Sequence, residues 1–153
     1  MSYTIEEKEK ALLAAERVIE ERTQEGKYLR GYNDCFAFVI LYEKFLRGAS
    51  SQAASLLNLD SYEDHHEFFS ELNNLGFLSL QHFAETMKFE VVEDRVPLLG
   101  DVAYEERRGV GTAMVAGRDY WLTPTEAARG IVPRRRVLPK EIRPVLLVRP
   151  TYI

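Results

Sequence analysis

Cysteine and histidine are scarce in this chain of 153 residues, which contains one cysteine and three histidines. One cysteine cannot form a disulfide within the chain, and a lone thiol with three histidines does not have the spacing of a structural zinc site. The glycines of Gly109-Val110-Gly111 lack the strand-to-helix context of a phosphate-binding loop and are more typical of a hairpin turn. We therefore expect neither a metal site nor a bound cofactor.

Long apolar stretches are also missing, because no run of about 18 or more apolar residues occurs. Residues 1–7 are polar and acidic, unlike the basic start and apolar stretch of a secretory signal. The sequence therefore predicts a soluble protein that is made in the cytoplasm and has no membrane partner.

The chain has no excess of positive charge. Its formal net charge is -4 and its isoelectric point is about 5.5. Binding to nucleic acid depends largely on Lys and Arg side chains that neutralise phosphates, so the composition disfavours nucleic acid as a partner. One short segment, Arg134-Arg135-Arg136, is nevertheless basic, although such a run is more often a solvated surface than a binding site.

Apolar residues are abundant enough for one core, since 46% of the chain is hydrophobic, and we expect a single domain over residues 1–153. Thr4 and Glu7 have the spacing of a capping box, which predicts the start of an amphipathic helix within residues 1–26. The apolar residues of that helix recur at helical spacing: Ile5, Leu12, Ala15 and Ile19.

A second helix is predicted from Cys35 to Leu46, with Asp34 as its N-cap and Gly48 after its end. This segment is apolar on every side. A helix without a polar face is buried, so we expect it to be the central helix of the domain.

The remaining pattern indicates the fold class. Within the helical half, residues 27–88, shorter helices are predicted around 51–57, 61–75 and 80–87. From residue 89 the chain changes to short β-rich runs at 89–92, 101–104, 112–116, 120–123 and 145–148. Helices first and strands afterwards is the α+β pattern, so we expect the helices to pack on an antiparallel sheet or small barrel over 89–153.

Cys35 is the one candidate nucleophile. A thiol in the first turn of a helix lies near unpaired backbone N–H groups and the positive end of the helix dipole, which favour the thiolate. The alternative is that Cys35 is a small buried apolar residue, as most buried free cysteines are.

Three segments occur in a distinctive order. They are the Gly31-Tyr32-Asn33-Asp34-Cys35 start of an apolar helix, the later Gly100-Asp101-Val102-Ala103-Tyr104 run, and a strand bounded by glycines over 111–117. Together they resemble the NlpC/P60 superfamily of papain-like proteins. The resemblance covers residues 27–135 and is greatest to the NlpC/P60-like proteins encoded among phage and prophage tail genes. It implies a papain-like α+β fold and a location in the tail of the virion.

The resemblance also implies a histidine that this chain lacks. In active members the cysteine attacks a peptide bond of cell-wall murein, and a histidine on the strand after the Gly-Asp strand is its base. Here that position falls at Gly111 or Thr112, and neither side chain accepts a proton near neutral pH. All the histidines, His65, His66 and His82, precede the predicted sheet. Of these, His82 is the candidate that could fold back beside Cys35.

Three functions remain open from the sequence. The first is a non-catalytic structural or assembly protein of a phage tail tip or baseplate that binds neighbouring tail proteins. The second is a peptidase or amidase that cleaves murein with Cys35 as nucleophile and with His82, or a histidine from a partner chain, as base. The third is a virion connector or a protein that contacts nucleic acid through the basic C-terminal segment. If exposed, Tyr120 and Trp121 are candidates for an interface, together with Arg134, Arg135 and Arg136.

Overall fold

The computed structural model describes residues 3–24, 26, 33–51, 84–85, 87–94, 96–107, 110–125, 130–135 and 145–151. Within them it is an α+β protein, as predicted. The helices and strands, in chain order, are α1 (Ile5–Thr23), α2 (Cys35–Arg47), β1 (Phe89–Val91), β2 (Val102–Arg107), β3 (Val110–Ala116), β4 (Tyr120–Thr125), β5 (Gly130–Arg135) and β6 (Val145–Pro150). Residues 84–85 are helical, but the rest of the three shorter predicted helices lies outside the described residues, except for residue 51, which is not helical, and residue 87, which is in a turn.

Helix α1 begins with the predicted capping box. The Glu7 backbone N–H donates to the Thr4 hydroxyl at 3.1 Å, and the Glu7 carboxylate accepts from the Thr4 N–H at 3.3 Å. Its core face is also as predicted at Leu12, Ala15 and Ile19. Ile5 is the first residue of the helix but is 62% exposed, because the buried face begins only at the next turn.

Helix α2 is the buried central helix that its composition predicts. Asp34 caps it by accepting a hydrogen bond from the Ala37 N–H at 2.8 Å, and Gly48 ends it with a positive φ of 58°. Every residue from 37 to 43 is buried. Because these positions cover all sides of the helix, it contacts the core around its whole circumference.

The strands form one open antiparallel sheet rather than a barrel. Its order is β1-β6-β2-β3-β4-β5, with antiparallel pairing between all neighbours. Among the described strands, β1 and β5 are therefore the edges. Side chains alternate between the two faces. The face towards the helices includes Val102, Tyr104, Ala113, Val115 and Val148, and the opposite face includes Ala103, Met114, Ala116, Trp121 and Leu147.

Strand β5 was not predicted, because its proline and arginines are unusual in a strand. It nevertheless pairs with β4 along all six residues, including Leu122 with Pro133. The Tyr120 carbonyl accepts a hydrogen bond from the Gly117 N–H, so the backbone polar groups of Tyr120 point towards β3. In an antiparallel strand these groups point to the same side at every second residue, so those of Leu122 also point towards β3. The ring nitrogen of Pro133 therefore faces away from β4. A proline is tolerated there because the position is on an edge strand.

A corner before β2 joins both helices to the sheet. The Tyr42 hydroxyl donates to the Gly100 carbonyl at 2.9 Å, and the fully buried Asp101 carboxylate accepts two bonds of 2.8 Å from the Arg149 guanidinium. The aliphatic part of Lys8 covers Gly100. Burial is the main cause that lowers the Lys8 pKa, and the Asp101 charge opposes it. The Gly-Asp dipeptide thus has a structural role.

A second buried polar cluster joins the end of α2 to the sheet. The Arg47 guanidinium forms an ion pair of 3.2 Å with Glu43, and both side chains are fully buried. Glu43 also accepts a 2.5 Å bond from the Ser51 hydroxyl. The same guanidinium lies over the Phe89 ring and donates to three backbone carbonyls, those of Met87, Lys88 and Thr151.

Neither described helix combines the length and the apolar character needed to cross a membrane.

Gly100→Ala should destabilise the fold. Gly100 has a φ of +85°, and an added Cβ would lie 2.6 Å from the Tyr42 hydroxyl oxygen and 2.5 Å from Lys8 Cδ. We expect a loss of about 2–4 kcal/mol in the free energy of unfolding, from backbone strain and overpacking together. Gly48→Ala is the matched control, because it has a positive φ with nothing within 4 Å. Equal losses for both variants in urea titrations would contradict the packing argument.

Arg47→Met should cost more than removal of an exposed ion pair. It leaves the buried Glu43 carboxylate without its cation, for which we expect a loss of about 3–5 kcal/mol. Arg118→Met is the control, since it removes an exposed ion pair with Glu9 and should change stability little. The free energies of unfolding in urea should therefore differ clearly, and equal effects would show that the buried pair is unimportant.

Candidate functional site

Cys35 is the first residue of α2 and lies under β3, with 7% of its surface exposed. Its sulfur accepts a hydrogen bond from the Ala113 backbone N–H at 3.4 Å. The strand that follows the Gly-Asp strand β2 therefore runs beside the cysteine. The bond spans 78 positions of the chain and joins the start of the central helix to the middle of the sheet.

The sulfur occupies a break in the sheet. Strands β3 and β4 pair only at Val115 with Leu122 and Ala116 with Trp121. If the same register continued, Ala113 would face Pro124, which has no N–H to donate. The Thr123 hydroxyl donates instead to the Ala113 carbonyl at 2.9 Å. The Thr123 side chain of β4 thus replaces the missing backbone donor to the Ala113 carbonyl, and Cys35 provides the acceptor for the Ala113 N–H.

This environment keeps the thiol protonated. The pKa of Cys35 is raised from 9.0 to about 12, mainly by burial and in smaller part by the negative charge of Asp34. Hydrogen bonds from the backbone N–H groups of Ala113, Phe36 and Cys35 itself act in the opposite direction. The sequence suggested that the helix terminus would favour the thiolate. The terminus does contribute, but desolvation of the fully buried sulfur is the larger effect.

The ionisable neighbours described near Cys35 are unsuited to act as its base. Asp34 caps the helix through Ala37. Tyr104 is buried beside the sulfur and stacks on Phe36 with ring centroids 6.4 Å apart. Burial raises the pKa of Tyr104 well above 10.0, and the Cys35 charge raises it further. Tyr104 is therefore a neutral phenol near pH 7 and cannot accept the thiol proton.

The two positions that the resemblance assigns to the catalytic histidine lie on β3, just before Ala113. Gly111 pairs with Glu106 and Thr112 with Glu105 across the β2–β3 ladder. The strand thus passes the cysteine where the base would be needed, with residue types that cannot serve as one. The histidines themselves, His65, His66 and His82, lie outside the described residues.

The candidate interface residues are divided between surface and core. Tyr120 is 51% exposed, whereas Trp121 is 1% exposed and packs on the sheet face opposite the helices. The condition of exposure is therefore met by Tyr120 and not by Trp121. The two side chains differ because neighbouring residues of a strand point to opposite faces of the sheet, and an apolar cluster covers the Trp121 indole on its face. Arg134 and Arg135 lie on β5, paired with Trp121 and Tyr120, and Arg136 is outside the described residues.

Two residues of this site, Thr123 and Pro124, were not singled out from the sequence as part of it. The available signal was the proline, because a proline inside a β-rich run implies a missing ladder bond. Which groups would replace that bond could not be read from the local sequence, since Ala113 and Cys35 are distant along the chain.

Within the part of the chain that the structure describes, no group of three or more His, Cys, Asp or Glu side chains could hold a metal ion. No protein-family model matches the chain, and neither a curated protein nor a solved structure matches it.

Substitutions at Cys35 should reveal its structural role. Cys35→Ala removes the acceptor of a buried N–H and leaves a small cavity, so we expect a loss of about 1–3 kcal/mol in the free energy of unfolding. Thr123→Val removes the donor to the carbonyl of the same residue, Ala113, at similar side-chain volume. Because both act on Ala113, the double variant should depart from additivity by about 0.5 kcal/mol or more. Strict additivity in urea titrations, or an unchanged stability of Cys35→Ala, would contradict this role.

Proposed function

We propose that this protein is a non-catalytic, NlpC/P60-like structural or assembly component of a phage or phage-derived tail tip or baseplate. It works by binding neighbouring tail proteins. The assignment to a tail rests on the sequence resemblance, carried by the Asp34-Cys35 helix start, the Gly100-Asp101 dipeptide and the strand after it. Fold alone does not give function, so the absence of catalysis must be argued from the site.

The observation that carries the proposal is the state of the Cys35 sulfur. It is buried, accepts a hydrogen bond from Ala113, and has its pKa raised to about 12. A nucleophilic cysteine needs the opposite conditions: partial exposure, a lowered pKa or an adjacent base. The sulfur therefore serves as an internal hydrogen-bond acceptor.

The other motif residues also have structural roles that account for their presence. Asp34 caps α2, Gly100 makes room for Tyr42, and Asp101 forms a buried ion pair with Arg149. These contacts hold the helix start and the sheet together without any chemistry. They support a protein in which the motif maintains a binding scaffold.

Alkylation tests the state of the thiol. At pH 8 a pKa of about 12, rather than 9.0, lowers the thiolate fraction about a thousandfold, and burial slows access further. Labelling by iodoacetamide, followed by intact mass, should be at least about a thousandfold slower for the native protein than for the protein in urea. Rapid native labelling near pH 6 would instead indicate an activated nucleophile.

Murein digestion tests the absence of catalysis directly. Purified protein is incubated with murein, and soluble fragments are quantified beside the Cys35→Ser variant, which keeps a hydrogen-bond acceptor at this position. We expect no release above the variant. Turnover that disappears with Cys35→Ser would establish the peptidase instead.

The tail assignment has its own test. Genes for tail-tube, tape-measure or tip proteins should flank this gene, and their absence would contradict the assignment to a tail.

A further inference from the structure

The outward side of α1 carries an apolar residue between two opposite charges. Leu13 is 62% exposed, and Glu9 and Arg17 lie four residues before and after it. Residues four apart lie next to one another along a helix and form the ridges by which helices pack. Glu9 is half-buried and Arg17 is exposed. The ridge is thus accessible, with Leu13 at its centre.

This ridge is complementary to itself. If two copies of α1 lie antiparallel about a two-fold axis at Leu13, the two Leu13 side chains meet. Glu9 of each copy then faces Arg17 of the other, which is the reciprocal pattern of an isologous interface. We infer that α1 is the contact surface of a homodimer, centred on Leu13. The inference goes beyond the proposed function and does not depend on the tail assignment.

The residues beside the ridge fit such an interface. Arg118, in the β3–β4 turn, donates to Glu9 at 2.6 Å, and Tyr120, two residues after it, is exposed. A carboxylate accepts several hydrogen bonds, so Glu9 can hold Arg118 and still face a second cation. Tyrosine and arginine are enriched at protein interfaces, whereas most other charged residues are depleted.

Charge complementarity favours a second copy of this chain as the occupant of α1. In the antiparallel arrangement centred on Leu13, Glu9 faces Arg17 and Lys10 faces Glu16, so the charged pairs next to the axis have opposite signs. Glu6 and Glu20 lie farther from the axis and face each other with like charge, which keeps the association weak.

The size of the surface sets the expected strength. One helix face buries less than the roughly 800 Å² per partner of a standard interface, so the dimer should form in a concentration-dependent manner. A covalent cross-link can detect such an association.

Cross-linking through an added cysteine tests the geometry. Leu13→Cys should form a disulfide-linked dimer under mild oxidation, because the two residues meet at the axis. Ile5→Cys is the matched control, since Ile5 is also 62% exposed on the same helix. The two copies of residue 5 would be about 24 Å apart. The native Cys35 is buried and does not interfere. Equal cross-linking at both positions, or none at position 13, would overturn the inference.

Charge reversal tests the register. In sedimentation equilibrium, Arg17→Glu should weaken self-association roughly tenfold, because it places like charges opposite each other at two symmetric sites. The double variant Glu9→Arg with Arg17→Glu should restore it, since the charges are exchanged and the reciprocal pattern returns. A wild-type protein that stays monomeric at all concentrations, or a double variant no better than Arg17→Glu, would overturn the inference.

Discussion

The hydrogen bond from the Ala113 N–H to the Cys35 sulfur is the contact on which the arrangement of helix and sheet depends. The backbone pairing of β3 with β4 covers only Val115 and Ala116, so the N–H and the carbonyl of Ala113 both need other partners. Pro124, which would face Ala113, has no N–H to donate to that carbonyl. The thiol and the Thr123 hydroxyl provide these partners. An unpaired buried backbone group costs free energy comparable to a lost hydrogen bond, and this fixes where α2 must begin relative to the sheet.

The same contact determines the chemistry. A sulfur that completes a sheet has to be buried, and burial favours the neutral thiol over the thiolate. The helix dipole and three backbone N–H groups act in the opposite direction, yet the pKa of Cys35 rises to about 12. The position that would suit a nucleophile in an open cleft therefore holds a buried hydrogen-bond acceptor here.

Short sequence patterns predicted the parts of the fold that are determined by interactions between residues close together in the chain. The caps at Thr4 and Asp34, the burial of α2 and the change from helix to strand at residue 89 all follow from short-range patterns. Strand β5 did not follow, because Pro133 and its arginines are compatible with a strand only at a sheet edge. That edge is set by the order of the whole sheet.

The position of the candidate site could be predicted from the sequence, but the protonation state and burial of its sulfur could not. Residue type and spacing placed Cys35 at the start of α2, and the resemblance to NlpC/P60 proteins pointed to the strand that passes beside it. Whether the sulfur is activated depends on groups 78 and more positions away, and no local pattern reports them. The burial of Trp121, next to the exposed Tyr120, likewise depends on which face of β4 is covered.

The two edges of the described sheet limit how this chain can associate. Strand β1 has only three residues, and Pro133 turns its ring nitrogen towards the open side of β5, so both edges are poor templates for an added strand. Growth by strand addition, which leads to open-ended fibres, is thereby discouraged. Side-chain surfaces are therefore a better basis than these edges for a contact between copies of the chain, and a two-fold contact of that kind closes on itself and stops at a defined size.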